Sequence, residues 1–215
     1  MLVVGAKGFA KELAEIICQQ NPAEDFVFYD DINKEREEKA FGLYDVVRNA
    51  ESAANYFKHE DKRFVLGIGS PEWRYKLAKK FIQLGGELTS VISPFAHIGR
   101  FENKLGNGIT VMTNAVIETS NDIGEGCLIH HAAFVSHDVK IGKYCEISPS
   151  ANLLGNTTVG DFCSVGTGAV ILPKIKIGSN VIVGAGAVVT KDVPDNSMIV
   201  GVPGIKIKEL YKIDE

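Results

Sequence analysis

Branched aliphatic residues recur at every sixth position from Leu105 to Val189. Fifteen consecutive positions obey the rule: Leu105, Val111, Ile117, Ile123, Ile129, Val135, Ile141, Ile147, Leu153, Val159, Val165, Ile171, Ile177, Val183 and Val189. A period of six fits neither the 3.6 residues of a helical turn nor the alternation of a lone strand. It predicts a parallel β-helix, in which three short strands and three turns make each eighteen-residue coil. Neighbouring coils would then stack about 4.8 Å apart.

A second column of small or thiol-bearing residues follows the same period, at the fourth position after the aliphatic one. Cys127, Cys145 and Cys163 are spaced by one full coil, and alanines fill other turns of this column. A redox or metal role is the alternative, but free cysteine packs well as a small hydrophobe. We predict that the three thiols lie in the core.

The pattern changes before residue 89, where buried strands alternate with helical periodicity. Residues 2–4 form a predicted strand that precedes Gly5, Lys7, Gly8 and Phe9 at the start of a helix, and strand 26–29 ends in Asp30 and Asp31. Strand 63–68 ends in Gly69 and Ser70, before a helix over 72–84. Such strand ends meet at one edge of a parallel sheet, where glycine turns and carboxylates hold nucleotides.

The chain lacks the full G-x-G-x-x-G spacing, so the alternative is a plain tight turn, and a mononucleotide is favoured over NAD. We predict a Rossmann-like α/β domain at residues 1–88 and a β-helix at residues 89–215, with a short terminal helix near Glu209.

Composition and charge narrow the classes of partner. The 215-residue chain carries a net charge of −4 without a long basic run, which argues against nucleic acid. It has no stretch of about 18 apolar residues and no recognisable secretion signal at its start, so we expect a cytoplasmic protein without a membrane partner.

His137 is the main candidate for acid–base chemistry. It occupies a corner of the predicted coil and precedes Asp138, which could orient the imidazole. Gly155 would lie one coil above, with an open backbone amide suited to an oxyanion. Lys174 and Lys191 follow on the same edge, roughly 10 to 14 Å away at the coil spacing, where phosphate groups of a long cofactor could meet them. The alternative is a surface histidine with ordinary solvated lysines.

His130 and His131 lie on the preceding corner. A trimeric β-helix could build a metal site from histidines of two chains, as carbonic anhydrases of the gamma class do. That class places two ligands in an H-x-x-x-x-H motif, which this sequence lacks. We therefore expect no metal, and the sequence assigns no role to His131.

The chain resembles the hexapeptide-repeat sugar acyltransferases, the group that contains sialic-acid O-acetyltransferases and nucleotide-aminosugar N-acetyltransferases. The resemblance rests on Gly5–Phe9, Tyr29–Asp31, Gly67–Ser70, Ser136–Asp138 and Gly201–Gly204. It implies a left-handed parallel β-helix, a homotrimer with sites at subunit interfaces, acetyl-CoA as co-substrate and His137 as general base. It also implies that the N-terminal turn, the two aspartates and Gly69 and Ser70 bind a UDP-, GDP- or dTDP-linked sugar.

Three positions depart from the family. His130 stands where relatives commonly have a sugar-contacting Asn, Glu146 where several have a second His near the acetyl group, and Lys7 where glycine is usual. The resemblance implies N-acetylation of a nucleotide-linked amino sugar, for which a 4-amino-4,6-dideoxyhexose is expected. The alternatives are O-acetylation of a sugar such as sialic acid and a non-catalytic β-helix that binds or supports other molecules.

Overall fold

The computed structural model describes residues 1–33 and 39–213. The N-terminal unit has six strands in the order β3-β4-β2-β1-β5-β6, all parallel to their neighbours except β3 with β4. Its elements are β1 (Leu2–Val4), α1 (Gly8–Gln20), β2 (Val27–Tyr29), β3 (Lys39–Ala40), β4 (Tyr44–Val47), α2 (Ala50–His59), β5 (Arg63–Leu66), α3 (Pro71–Gln83) and β6 (Glu87–Leu88).

The apolar pattern of the N-terminal unit explains which of its elements the sequence predicts. All three residues of β1 are buried, as a central strand with both faces covered requires. Helix α1 buries Leu13, Ile16 and Ile17. Helix α2, which we did not predict, buries two apolar residues, Ala53 and Phe57, against five in α1. Its signal lies in Asn49, whose side chain accepts a hydrogen bond from the Ser52 amide at 2.8 Å and caps the helix.

The rest of the chain coils into three sheets. One face contains β7 (Val91–Ile92), β10 (Thr110–Val111), β13 (Leu128–Ile129), β16 (Glu146–Ile147), β19 (Ser164–Val165), β22 (Ile182–Val183), β24 (Ser197–Val200) and β25 (Ile205–Glu209). The second contains β8 (His97–Ile98), β11 (Val116–Ile117), β14 (Phe134–Val135), β17 (Asn152–Leu153), β20 (Val170–Ile171) and β23 (Val188–Val189). The third contains β9 (Lys104–Leu105), β12 (Asp122–Ile123), β15 (Lys140–Ile141), β18 (Thr158–Val159) and β21 (Lys176–Ile177). Every pair of neighbouring strands in these sheets is parallel except β24 with β25. The predicted boundary at residues 88 and 89 falls between β6 and β7.

The aliphatic ladder points into the coils, as predicted. From Val111 to Val189 every sixth residue is buried, and strands pair with partners eighteen residues away, for example Ile123 with Ile141. The first coil contains one extra residue, so Ile98 pairs with Ile117 at a spacing of nineteen. Burying one branched aliphatic side chain contributes roughly 1.5–3 kcal/mol, and the repetition of this term stabilises the coils.

The corners of the coils carry a second six-residue period that the aliphatic pattern does not reveal. A residue with positive φ stands at every sixth position from Glu102 to Gly186. Glycine occupies four of these fifteen corners, and Asn114, Asn156 and Asn180 occupy three. Both residue types tolerate the left-handed region better than others do. Asp138 is one of the corners, with φ of 57°.

The cysteine column is core packing, which confirms the prediction. Cys127, Cys145 and Cys163 are fully buried free thiols. Each donates a hydrogen bond to a carbonyl of the next coil, at 2.9 to 3.0 Å, and each sulfur accepts from the amide of the residue one coil above. The column therefore helps to join successive coils.

The expectation of a helix near Glu209 is wrong. Strand β25 runs from Ile205 to Glu209 and pairs antiparallel with β24, which closes the open end of its sheet. The alternation of Ile205, Lys206, Ile207 and Lys208 is a strand pattern, and pairing with β24 satisfies the backbone groups that face that strand.

The N-terminal unit packs on the coils through α1 and α3. Met112 and Leu128 of the coils share an apolar cluster with Leu13 and Ile16 of α1. We call this contact region the seam and include in it Phe9, Gly69, Arg74, His130 and Glu146. No helix in the described ranges is long and apolar enough to cross a membrane.

Candidate active site

His137 and Asp138 form a hydrogen-bonded pair at an exposed corner of the coils. Nδ1 of His137 lies 2.7 Å from a carboxylate oxygen of Asp138. The side chains are 58% and 53% exposed, so solvent and a substrate can both reach the ring. A carboxylate on one ring nitrogen selects the tautomer in which the other nitrogen can accept a proton.

Gly155 lies directly against the imidazole, on the coil above. A Cβ built on Gly155 would stand 2.7 Å from Nε2 of His137. Any residue other than glycine would therefore displace the imidazole from this position. Gly155 is buried. The imidazole of His137 therefore lies against the α-carbon of Gly155, and the open amide with its role toward an oxyanion stays a prediction.

Lys174 and Lys191 lie on the same side of the coils as the His137 corner. The Lys174 amide donates to the Gly155 carbonyl at 3.0 Å, so Lys174 lies one coil above Gly155. The side chains of Lys174 and Lys191 are both exposed. We name the surface of His137, Asp138, Gly155, Lys174 and Lys191 the open edge. Its predicted contact with acetyl-CoA stays a prediction.

Glu146 lies at the seam, and its predicted contact with acetyl-CoA stays a prediction. A Cβ on Gly69 would lie 3.3 Å from Oε1 of Glu146, and Nε2 of His130 is 3.8 Å from the same oxygen. Burial raises the pKa of Glu146, while the nearby Arg74 guanidinium lowers it in part. This carboxyl is thus harder to ionise than an exposed one.

His130 is enclosed at the seam. Its ring packs on Phe9 at 5.2 Å between centroids, and its side chain is 12% exposed. Burial, together with the charges of His131 and Arg74, lowers the pKa of His130 to about 4. The imidazole is neutral near pH 7, so its contact with Glu146 is not an ion pair there. Its Nδ1 atom is buried without a hydrogen-bond partner among the described residues.

Arg74 of α3 joins the two units from a fully buried position. Its guanidinium donates to the carbonyls of Leu66 and Ile68 on the N-terminal side, at 3.0 and 2.9 Å, and Nε donates to the Gly126 carbonyl of the coils at 2.9 Å. Burial lowers the pKa of Arg74 to about 10, so the side chain is still charged at pH 7. Sequence analysis missed it, because an arginine inside a helical stretch reads as a surface residue.

A crevice of about 690 Å³ opens at the carboxyl ends of β1, β2 and β5. Its lining includes five residues predicted from the sequence, namely Gly5, Asp30, Asp31, Gly69 and Ser70. Gly5 has φ of +114°, and a Cβ there would meet the Gly67 carbonyl oxygen at 2.8 Å. The sharp turn after β1 therefore needs glycine, as phosphate-binding turns do.

The two aspartates of the crevice already hold internal partners. Oδ1 of Asp30 accepts from the amides of Ile32 and Asn33 at 3.1 and 3.0 Å. Burial raises the pKa of Asp30, but the hydrogen bonds from Asn33 outweigh it and the pKa is lowered overall. Asp31 accepts from the Tyr29 hydroxyl at 2.8 Å and pairs with Lys80 at 3.0 Å.

Three predicted nucleotide contacts lie outside the crevice lining. Lys7 is the N-cap residue of α1 and is exposed, Gly8 borders a separate cavity beside Glu12 and His131, and Phe9 packs on His130. Of the turn after β1, the crevice lining includes Gly5. The nucleotide-binding roles of Lys7, Gly8 and Phe9 stay predictions.

Comparisons with known proteins agree along the whole chain. Residues 1–81 match the PglD N-terminal domain, and residues 156–191 match the bacterial transferase hexapeptide model of six repeats. WeeI from Acinetobacter baumannii is 30% identical, with a TM-score of 0.87, and the match covers 96% of this chain and 98% of that one.

The chain belongs to the hexapeptide-repeat sugar acyltransferases.

Other members of this family are similar to the same degree. A variant of perosamine N-acetyltransferase from Caulobacter crescentus, in complex with CoA and GDP-perosamine, is 29% identical with a TM-score of 0.88, covering 97% of this chain and 96% of that one. The acetyltransferase domain of PglB from Neisseria gonorrhoeae is 29% identical with a TM-score of 0.87, covering 96% and 98%. The coils of this acyltransferase form a left-handed parallel β-helix. No curated protein sequence matches the chain.

One further cluster of this acyltransferase could present ligands to a metal. Glu12, His130 and His131 each offer one donor atom, and these atoms lie within 4.8 Å of one another. Zinc–nitrogen bonds of about 2.0–2.1 Å require donors that are closer together than this limit. Glu12 and His131 are also the more exposed members, so a bound ion would have to draw them inward.

Proposed function

We propose that this acyltransferase transfers an acetyl group from acetyl-CoA to the amine of a nucleotide-linked amino sugar. The class of sugar that we favour is a 4-amino-4,6-dideoxyhexose. The observation that carries the proposal is the combination, on one chain, of a glycine-lined crevice at the carboxyl edge of a parallel sheet and an exposed His–Asp pair on the coils. The complex of the Caulobacter enzyme with CoA and GDP-perosamine supports the same pair of substrates.

In the proposed mechanism, the substrate amine attacks the thioester carbonyl carbon of acetyl-CoA. A C–N bond forms, the C–S bond then breaks, and the nitrogen loses one proton. His137 accepts that proton on Nε2 while Asp138 holds Nδ1, and then donates it to the departing sulfur, which leaves as the thiol of CoA. The positive imidazole formed in this step is stabilised by the neighbouring carboxylate.

We propose that the working enzyme is a homotrimer. The crevice ends at the seam, beside Gly69 and Glu146, whereas His137 lies on the next corner of the same coil. A sugar that extends from the crevice toward solvent would therefore meet the open edge of a neighbouring copy more readily than that of its own chain. In this arrangement each site takes its nucleotide contacts and its base from different subunits. We also propose a cytoplasmic location, where both substrates are available.

An acetyl-transfer assay tests the proposal. The purified protein is mixed with acetyl-CoA and, in separate reactions, with a UDP-, GDP- or dTDP-linked 4-amino sugar, and thiol release and product mass are followed. We expect release of CoA together with a product 42 mass units heavier, acetylated on nitrogen, for at least one sugar. Acetylation of free sialic acid instead would favour the O-acetyltransferase alternative, and no transfer to either would favour a binding protein.

A thermal-shift screen with the same nucleotides, with and without CoA, is the binding control. A ligand that binds only the native state raises its stability by about 2.7 kcal/mol at one hundred times its Kd. A rise in unfolding temperature without turnover would support the two binding sites and contradict the proposed acetyl transfer.

A further inference from the structure

The outer half of the crevice is apolar and is walled by Trp73, Ile32 and Leu77. Trp73 is the sole tryptophan of the sequence. It stands in the first turn of α3 and is 57% exposed, and Ile32 is 83% exposed. Large apolar side chains with this much exposure beside a ligand-sized crevice indicate a surface that a ligand covers.

The charged groups around this half of the crevice already have partners. Lys80 is paired with Asp31 and donates to the Tyr29 hydroxyl at 3.1 Å. Lys76 is paired with Glu72 on α3. These ammonium groups therefore contribute little binding energy to a ligand group that enters here. The apolar surface is left to bind it.

Lys76 also defines which face of Trp73 is available. Its ammonium lies 5.4 Å from the centre of the Trp73 ring system, as in a cation–π contact. One face of the indole is thereby occupied. A flat, weakly polar ring is the ligand fragment that matches a partly exposed indole, because two π surfaces stack over a large area.

We propose that Trp73 stacks on the nucleobase of the bound nucleotide, with Ile32 contacting the other side of the base. The inference rests on the proposed function and deepens it, since it identifies where the base lies. The Gly5 and Gly69 turns at the inner end would face the diphosphate. Because every base has a π face, stacking alone favours no single base.

An aromatic base could reach the protein from the sugar nucleotide or from the adenine of CoA. We assign the base at Trp73 to the sugar nucleotide, because the inner end of the crevice has the glycine turns of a nucleotide site and lies beside the seam. CoA belongs to the open edge in the proposed arrangement. The two sources can be separated by titrating each one alone.

The test uses the fluorescence of Trp73, which needs no label. Titrating the full-length protein with GDP, UDP and dTDP should quench the emission in a saturable way, whereas CoA at the same concentrations should not. By calorimetry, Trp73→Ala should weaken nucleoside diphosphate binding roughly 5- to 150-fold. Trp73→Phe, which retains an aromatic face, should recover most of the affinity, and the exposed position should leave the unfolding temperature of both variants nearly unchanged.

The outcomes separate the inference from the proposed function. If the wild type binds nucleoside diphosphates and Trp73→Ala binds them equally well, the stacking role is wrong and the proposed function stands. If the wild type binds none of the three, by quenching or by calorimetry, both are overturned. If CoA quenched the Trp73 emission as strongly as the nucleoside diphosphates do, the Trp73 surface would not be specific to the sugar nucleotide, and the stacking inference would be wrong.

Discussion

His130 and His137 are seven residues apart on the same coils, yet their surroundings are opposite. At the open edge, His137 is exposed to solvent and holds a carboxylate on one nitrogen. At the seam, His130 is packed on Phe9, stays neutral and leaves Nδ1 without a partner among the described residues. Residue type therefore does not decide chemistry here. The corner of the coil decides which imidazole can exchange protons with a substrate.

The two regions also differ in what their charges stabilise. Arg74 at the seam is fully buried and, among the described residues, donates to backbone carbonyls and a hydroxyl, so it serves the contact between the units. The charged groups of the open edge are exposed, and a surface pair contributes little to folding, typically less than 1 kcal/mol. We expect variants at the seam to lose mainly stability and variants at the open edge to lose mainly turnover.

Replacing Arg74 should give the largest loss of stability. Arg74→Met removes this donor from the buried carbonyls of Leu66 and Gly126 and from the part-buried carbonyl of Ile68, and each unsatisfied buried group costs about 1–3 kcal/mol. We expect the free energy of unfolding to fall by roughly 3–5 kcal/mol, measured by urea denaturation with circular dichroism.

Lys79→Met, at an exposed site on the same helix, is the matched control and should change stability by less than about 0.5 kcal/mol. A similar small loss in Arg74→Met would mean that the seam does not depend on this side chain.

The pH dependence of stability should distinguish the two histidine corners next. The pKa of His130 is about 6.5 in the unfolded chain and is lowered to about 4 in the folded chain. Between these values the unfolded state binds more protons, so stability falls as the pH falls, by up to about 3 kcal/mol from this group. Glu146 acts in the opposite direction, because its raised pKa favours proton uptake by the folded state.

His130→Asn should therefore flatten the stability curve between pH 6.5 and 4, as measured by urea midpoints at half-unit steps. Wild-type and variant curves that run parallel over this range would show that His130 titrates like an exposed histidine and would remove the contrast with His137.

A smaller effect is expected at Gly155. In Gly155→Ala the new methyl would stand 2.7 Å from Nε2 of His137, so the imidazole must rotate away. A displacement of about 1 Å at a reacting group can cost about 10²-fold, and we expect turnover to fall roughly 10- to 100-fold. The unfolding midpoint should change little, because the ring is exposed and can move. Unchanged turnover would show that the ring position seen here is not the working one.

The six-residue ladder predicted the coils, their register and the burial of the three cysteines, because a strict period leaves one inward direction for each aliphatic side chain. It also located His137 beneath Gly155. It could not predict the seam, since the contacts of Arg74, Phe9 and Glu146 depend on how α1 and α3 pack on the coils. Trp73 was missed for a related reason, because a tryptophan in a helical pattern is read as core, and only the structure shows it beside the crevice.

The most direct test of the central claim is the turnover number of His137→Gln, at saturating acetyl-CoA and amino sugar, in protein shown by calorimetry to bind CoA normally. If the open edge supplies the general base, kcat should fall by about 10²- to 10⁴-fold while the unfolding midpoint stays within experimental error. A kcat within threefold of the wild-type value would contradict the claim and move the search for the base to another residue.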